Sequence, residues 1–146
     1  MTGKEIYDSY VVAGILEGAG VAESLPLWTE ANMETFRSVV RQMEGKISYA
    51  TKLDELAEID ELFHATLFMA CDNTRLVEMV RTSCATISKY LYYQHWITMF
   101  TPREYADRHH AVAEAVYSRD VKHVETALRD HYKETGLRMA QFGKEA

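Results

Sequence analysis

Thr101-Pro102-Arg103-Glu104-Tyr105-Ala106-Asp107-Arg108-His109-His110-Ala111-Val112-Ala113-Glu114-Ala115-Val116 is the stretch on which the fold turns. Thr101 can cap a helix. Pro102 fits the first helical position, where its missing N–H is not needed, and Glu104 completes a capping box. Tyr105, Val112 and Val116 then recur at helical spacing, so a helix is expected to about Tyr117. Ser118-Arg119-Asp120 interrupts it, and Asp120 can cap a further helix to about Phe142, with Val121, Val124 and Leu128 on one face. So short a link makes the two helices antiparallel neighbours.

The same punctuation extends upstream. A first helix is expected over about Lys4 to Ala22, with Ile6, Tyr10 and Ala13 at helical spacing. Gly14, Gly18 and Gly20 weaken it, though their small size also permits a close helix crossing. A second helix starts at Thr29, a plausible N-cap, and aligns Met33, Phe36, Val40 and Met43. A third is expected over about Lys52 to Cys71. Asp72-Asn73 then breaks the chain, and Asn73 or Thr74 can cap a fourth helix to about Phe100, with Leu76, Val80, Ser83, Ile87 and Leu91 in register. The chain has two prolines and seven glycines. That scarcity suits long helices, and the reading is an all-α, antiparallel helical bundle of about six helices in a single domain, 1–146.

Composition narrows the function. Hydrophobic residues make up 47% and charged residues 26% of the 146, as in an ordinary globular domain. The net charge of −6 argues against direct contact with a phosphate backbone. No uninterrupted apolar run approaches the roughly 18–20 residues of a membrane span, and Met1 to Tyr10 lacks a signal-peptide layout. Cys71 and Cys84 make neither a disulfide framework nor a zinc motif, which fits a reducing, cytoplasmic setting.

The informative residues are polar ones inside apolar stripes. On the third helix the stripe Leu53, Leu56, Leu67 also takes in Asp60 and His64, one turn apart. On the fifth, Tyr105, Val112 and Val116 take in His109, with His110 about a quarter turn away. On the sixth, Val121, Val124 and Leu128 lead to His131. An isolated carboxylate or imidazole is costly to bury without a partner. A divalent cation satisfies one Asp and three His together, and this donor set suits zinc, nickel or manganese, with iron also compatible. The competing reading is a set of core histidines, one of them paired with Asp60. His95, within Tyr92-Tyr93-Gln94-His95-Trp96, reads as core or a dimer contact, and His123 as solvated. Cys71 and Cys84 read as small apolar packing residues, and Glu58 and Glu61 as a solvated face.

Asp60-Glu61-Leu62-Phe63-His64-Ala65-Thr66-Leu67, continuing to Asn73-Thr74-Arg75-Leu76, resembles the D-x-x-F-H-x-x-L…N-x-x-L pattern of the FCD domain. That domain is the effector-binding half of FadR-type GntR transcription regulators. His109-His110-Ala111-Val112-Ala113-Glu114-Ala115-Val116, followed by Asp120, Ala127 and His131, resembles its second signature. Ile15-Leu16-Glu17-Gly18 resembles the LE element of its first helix. Where members usually carry an Arg just before that element, this chain reads Val11-Val12-Ala13-Gly14. The resemblance implies an all-helical bundle, a divalent metal on Asp60, His64, His109 and His131, a small organic acid as effector, and a homodimer. About six helices suits the smaller variant of the domain. The winged helix-turn-helix of such regulators is expected to be absent from this chain, so DNA would be reached only through an N-terminal domain outside it.

The expected function is therefore metal-dependent sensing of a small organic acid by ligand-shifted helix packing. Ser83 and Tyr90, on the inward side of the fourth helix, are the expected contacts to the effector's far end. Two alternatives stand beside it. One is a metalloenzyme using the centre of three histidines and one aspartate on a small carboxylic acid. The other is a helical dimerisation module whose histidines pair with Asp60.

Overall fold

Threonine starts three of the helices. Thr2, Thr29 and Thr101 each accept a hydrogen bond from the backbone N–H three residues on, while Glu5, Asn32 and Glu104 reach back to the cap. These reciprocal bonds satisfy donors that a helix start otherwise leaves open. Asp120 caps another helix through the N–H of His123, and the Asn73 side chain accepts from the N–H of Leu76 at 3.1 Å.

The computed structural model describes residues 1–87 and 93–145. The described residues form α1 (Gly3–Ser24), α2 (Glu30–Ile47), α3 (Ala57–Leu67), α4 (Thr74–Ile87), α5 (Tyr93–Met99), α6 (Pro102–Ser118) and α7 (Val121–Met139), with no strand among them. An all-α bundle is therefore the fold. The expected fourth helix, 74–100, corresponds to α4 and α5. The expected third helix is shorter than 52–71: Leu53–Leu56 winds as a 3-10 turn before α3, and turns follow Leu67. At the other end of the chain, Ala140–Phe142 tightens into 3-10 geometry after α7, as helix ends often do.

α1 and α7 run antiparallel in close contact. Along α1, positions 3, 14 and 18 meet Ala140, Tyr132 with Arg129, and Glu125 in turn. Two glycines make this approach possible. A Cβ on Gly14 would lie 2.9 Å from the Cβ of Tyr132, and one on Gly136 would lie 2.7 Å from the Cβ of Tyr10. Gly14, which weakens α1 by propensity, thus lets it nest against α7, while Gly20 makes room for Phe68. By length and mean hydropathy (1.2) Gly3–Leu27 could cross a membrane, but 56% of its most apolar window is buried within the bundle, against α7 and α4.

The remaining helices close around two neighbourhoods. α2 packs on α3 and α6, and Trp28, Met33, Phe36, Met43, Leu53 and Leu56 fill the space between. Phe36 meets Trp28 and Phe63 with ring centroids 5.7 and 5.5 Å apart. Each such fully buried side chain contributes about 1.5–3 kcal/mol through removal of apolar area from water. The second neighbourhood, where α1, α3, α6 and α7 converge, is polar.

Candidate metal centre

α3 presents two successive turns of one face to the interior, so Asp60 and His64 lie side by side. α6 supplies His109 and α7 supplies His131. Asp60, His109 and His131 are buried, and the His64 side chain is 18% exposed. One nitrogen from each of the three histidines can be chosen so that all lie within 4.8 Å of one another. Asp60 Oδ1 is 2.9 Å from His109 Nε2 and 3.6 Å from His64 Nε2. Of the residues expected to bind metal, all four therefore meet at one place, although they come from three helices.

The hydrogen bonds of the buried rings are uneven. His109 Nδ1 is 2.8 Å from the Tyr105 carbonyl and its Nε2 is 2.9 Å from Asp60 Oδ1. Both neighbours are acceptors, whereas a neutral imidazole carries one N–H. Charging the ring would satisfy both, but burial, which outweighs the pull of Asp60, holds the His109 pKa below its ordinary value. His131 is pushed well below by burial and then by the neighbouring His109, Arg108 and His64, and its Nδ1 is buried with no hydrogen-bond partner. His64 is the exception. Burial pushes its pKa down, yet the charges of Glu17 and Asp60 outweigh that and hold it up at about 10. A divalent cation would take the lone pairs of His109 and His131 and the charge of Asp60 together, so the donor set fits such an ion.

A cavity of about 770 Å3 opens beside these residues. Its walls include the aromatic rings of Phe68, Trp96, Phe100 and Tyr132, and the guanidinium-bearing Arg81 and Arg108. Arg108 donates to the His131 carbonyl and, at 2.7 Å, to Thr135 Oγ1, and it lies over the Phe100 ring. From α4 the cavity takes Val77, Val80, Arg81, Cys84 and Ala85. Ser83 is half-buried on the same helix, outside that set, and Tyr90 lies outside the described residues. The remaining histidines have other settings. His95 stacks on Phe142 with centroids 3.9 Å apart, His110 is 3.5 Å from Glu44, and His123 is exposed. Cys84 is half-buried with Sγ 3.7 Å from the Tyr132 hydroxyl.

Three neighbours of the centre were not among the expected site residues. Tyr105 donates its hydroxyl to Asp60 Oδ1 at 3.2 Å and stacks on His109 at 3.8 Å. Arg108 holds the backbone of α7 as described. Glu17 is fully buried, and its Oε1 is 2.8 Å from His64 Nδ1. A signal for Glu17 was present: the stripe Ile6, Tyr10, Ala13 reaches position 17 one turn later.

Residues 8–134 match the family described as FCD domain. No curated protein and no solved structure matches the chain.

Proposed function

Since this chain belongs to the FCD domain family, which supplies the effector-binding regions of GntR-type transcription regulators, we propose that it is a metal-dependent sensor of a small organic acid. The observation that carries this reading is the convergence of Asp60, His64, His109 and His131, with His131 Nδ1 buried and without a hydrogen-bond partner. A bound ion would supply a Lewis-acid position for a carboxylate. Zinc, nickel and manganese all accept this donor set.

The chain's own residues do the rest. Tyr105 and the Tyr105 carbonyl orient Asp60 and His109 respectively. The cavity volume of about 770 Å3 suits a small organic ligand, since such sites usually span about 300–1,000 Å3. Arg81 and Arg108 bring two guanidinium groups to walls that also hold Glu17, Asp60 and Glu61, and Arg81, with no ion pair among the described residues, is the group suited to meet an acid. The ligand would touch α3, α4, α6 and α7 at once, so a packing of these helices that fits it better would be favoured. In the whole regulator the domain would act as a homodimer in the cytoplasm and reach DNA through a separate N-terminal domain.

The test is metal analysis of protein purified without chelator or a nickel column, followed by thermal melts with a panel of hydroxy- and dicarboxylic acids. The reading expects one divalent ion per chain and an acid that raises the melting temperature only when metal is present. Protein without metal that takes up none from solution would contradict it.

A further inference from the structure

The Glu17 carboxylate is the most deeply buried acidic group described, with no exposed surface, and it arrives from a helix that supplies none of the four expected ligands. A buried ionised carboxylate is held only where its surroundings compensate it. It faces the Tyr132 hydroxyl and, at hydrogen-bond distance, His64, whose ring spans two acceptors. Nδ1 lies 2.8 Å from Glu17 Oε1, and Nε2 faces Asp60 Oδ1 at 3.6 Å. His109 shows the same arrangement by other means, with Nδ1 against the Tyr105 carbonyl and Nε2 toward Asp60. Both rings therefore turn Nε2 to the centre and spend Nδ1 on an outer acceptor. For His109 that acceptor is the backbone of its own helix. For His64 it is a side chain from α1, which reaches this depth because Gly14 lets α1 lie close against α7.

Resting on the metal reading above, we propose that Glu17 is a positioning residue for the metal centre: it accepts the Nδ1–H of His64, fixes that ring with Nε2 toward Asp60, and thereby ties α1 to the bound ion. A carboxylate in this place also raises the basicity of the ligating nitrogen, and loss of such an outer partner typically weakens metal binding about 10–100-fold. No bond is made or broken beyond metal coordination, and in this role Glu17 acts on the ion through His64.

The experiment compares wild type, Glu17→Gln and Glu17→Ala in the full chain, using zinc alone as the probe. Zinc affinity is read by competition with a chromophoric chelator, and the protonated nitrogen of His64 in the zinc-loaded protein by 15N NMR. The expected result is a drop of about 10–100-fold for Glu17→Ala, with a smaller drop for Glu17→Gln, whose amide oxygen can still accept. In wild type and Glu17→Gln the His64 proton resides on Nδ1, and in Glu17→Ala that signal broadens or moves. Circular dichroism confirms that the variants compared are folded, and Glu17→Gln keeps the test open where Glu17→Ala does not fold. Wild-type affinity with an unchanged His64 signal in a folded variant would overturn the positioning role while leaving the sensor reading intact. Wild-type protein that binds no zinc would overturn both.

Discussion

The two sides of α3 face unlike surroundings. Toward α2, Phe63 packs on Phe36 in a region built from Trp28, Met33, Met43, Leu53 and Leu56. Toward α1 and α7, Asp60 and His64 join Glu17, His109 and His131. Phe63 stands at the border, with its ring also 4.9 Å from that of His109. The apolar side is complete as it stands, apart from the indole N–H of Trp28, a neutral donor buried without a partner. On the other side charge is at stake. Two carboxylates, one imidazole held up at about 10 and two held low leave His131 Nδ1 and Glu17 Oε2 buried without hydrogen-bond partners. Packing alone finishes the first region, whereas the second keeps buried polar atoms without partners, which is where the proposed ion would act.

The sharpest way to break this contrast is the double variant His109→Ala/His131→Ala. It should abolish metal uptake, read as ion stoichiometry by elemental analysis, because the two helices α6 and α7 then contribute no ligand. An unchanged stoichiometry would move the site elsewhere. Next in size, Phe36→Ala should cost about 3–5 kcal/mol of stability in urea unfolding, the usual penalty for emptying a buried aromatic site. Its zinc affinity should fall far less than that of the double histidine variant, because Phe36 supplies no ligand and reaches the centre only through Phe63.

Zinc should stabilise only through the polar side. At a free concentration about 100 times its dissociation constant, a ligand that binds only the folded state adds about 2.7 kcal/mol. Wild type and Phe36→Ala should gain this equally in parallel melts, and the double histidine variant should gain nothing. Equal stabilisation of that variant would show that zinc acts at another place.

The mildest effect concerns pH in the metal-free protein. The folded His64 pKa, about 10, lies above its ordinary value of 6.5, because Glu17 and Asp60 outweigh burial. Its contribution is thus fully present below about pH 6.5 and is lost as pH rises toward 10, with a slope of at most about 1.4 kcal/mol per pH unit. His109 and His131, held low by burial, act in the opposite sense and cost stability as pH falls through 6.5. Unfolding curves at pH 7.5 and 8.5 should therefore differ for wild type and nearly coincide for His64→Gln. A wild type as flat as that variant would mean that His64 is neutral.

Helix starts were the most legible part of the fold. Thr29, Thr101 and Asp120 cap where their sequences indicate, since a cap is a local hydrogen bond that needs no tertiary partner. The ends were less so: α3 and α7 stop short of their periodic patterns, where backbone turns compete with side-chain spacing over a few residues. In the site, Asp60, His64, His109 and His131 could be found because each interrupts an apolar stripe. Glu17 interrupts one too, but three glycines blur the amphipathic pattern of α1, and only the packing against α7 shows which face is inside. Arg108 could not be read from spacing at all. It is polar next to a polar stripe position, and its role depends on α7 lying across from it.

One divalent ion is proposed to sit among these four side chains. Anomalous diffraction at the zinc edge, on crystals of zinc-loaded protein, tests it most directly. One strong peak is expected about 2.0–2.2 Å from nitrogens of His64, His109 and His131 and from an oxygen of Asp60. An empty cluster at saturating zinc, or a peak bound only by surface residues, would contradict it.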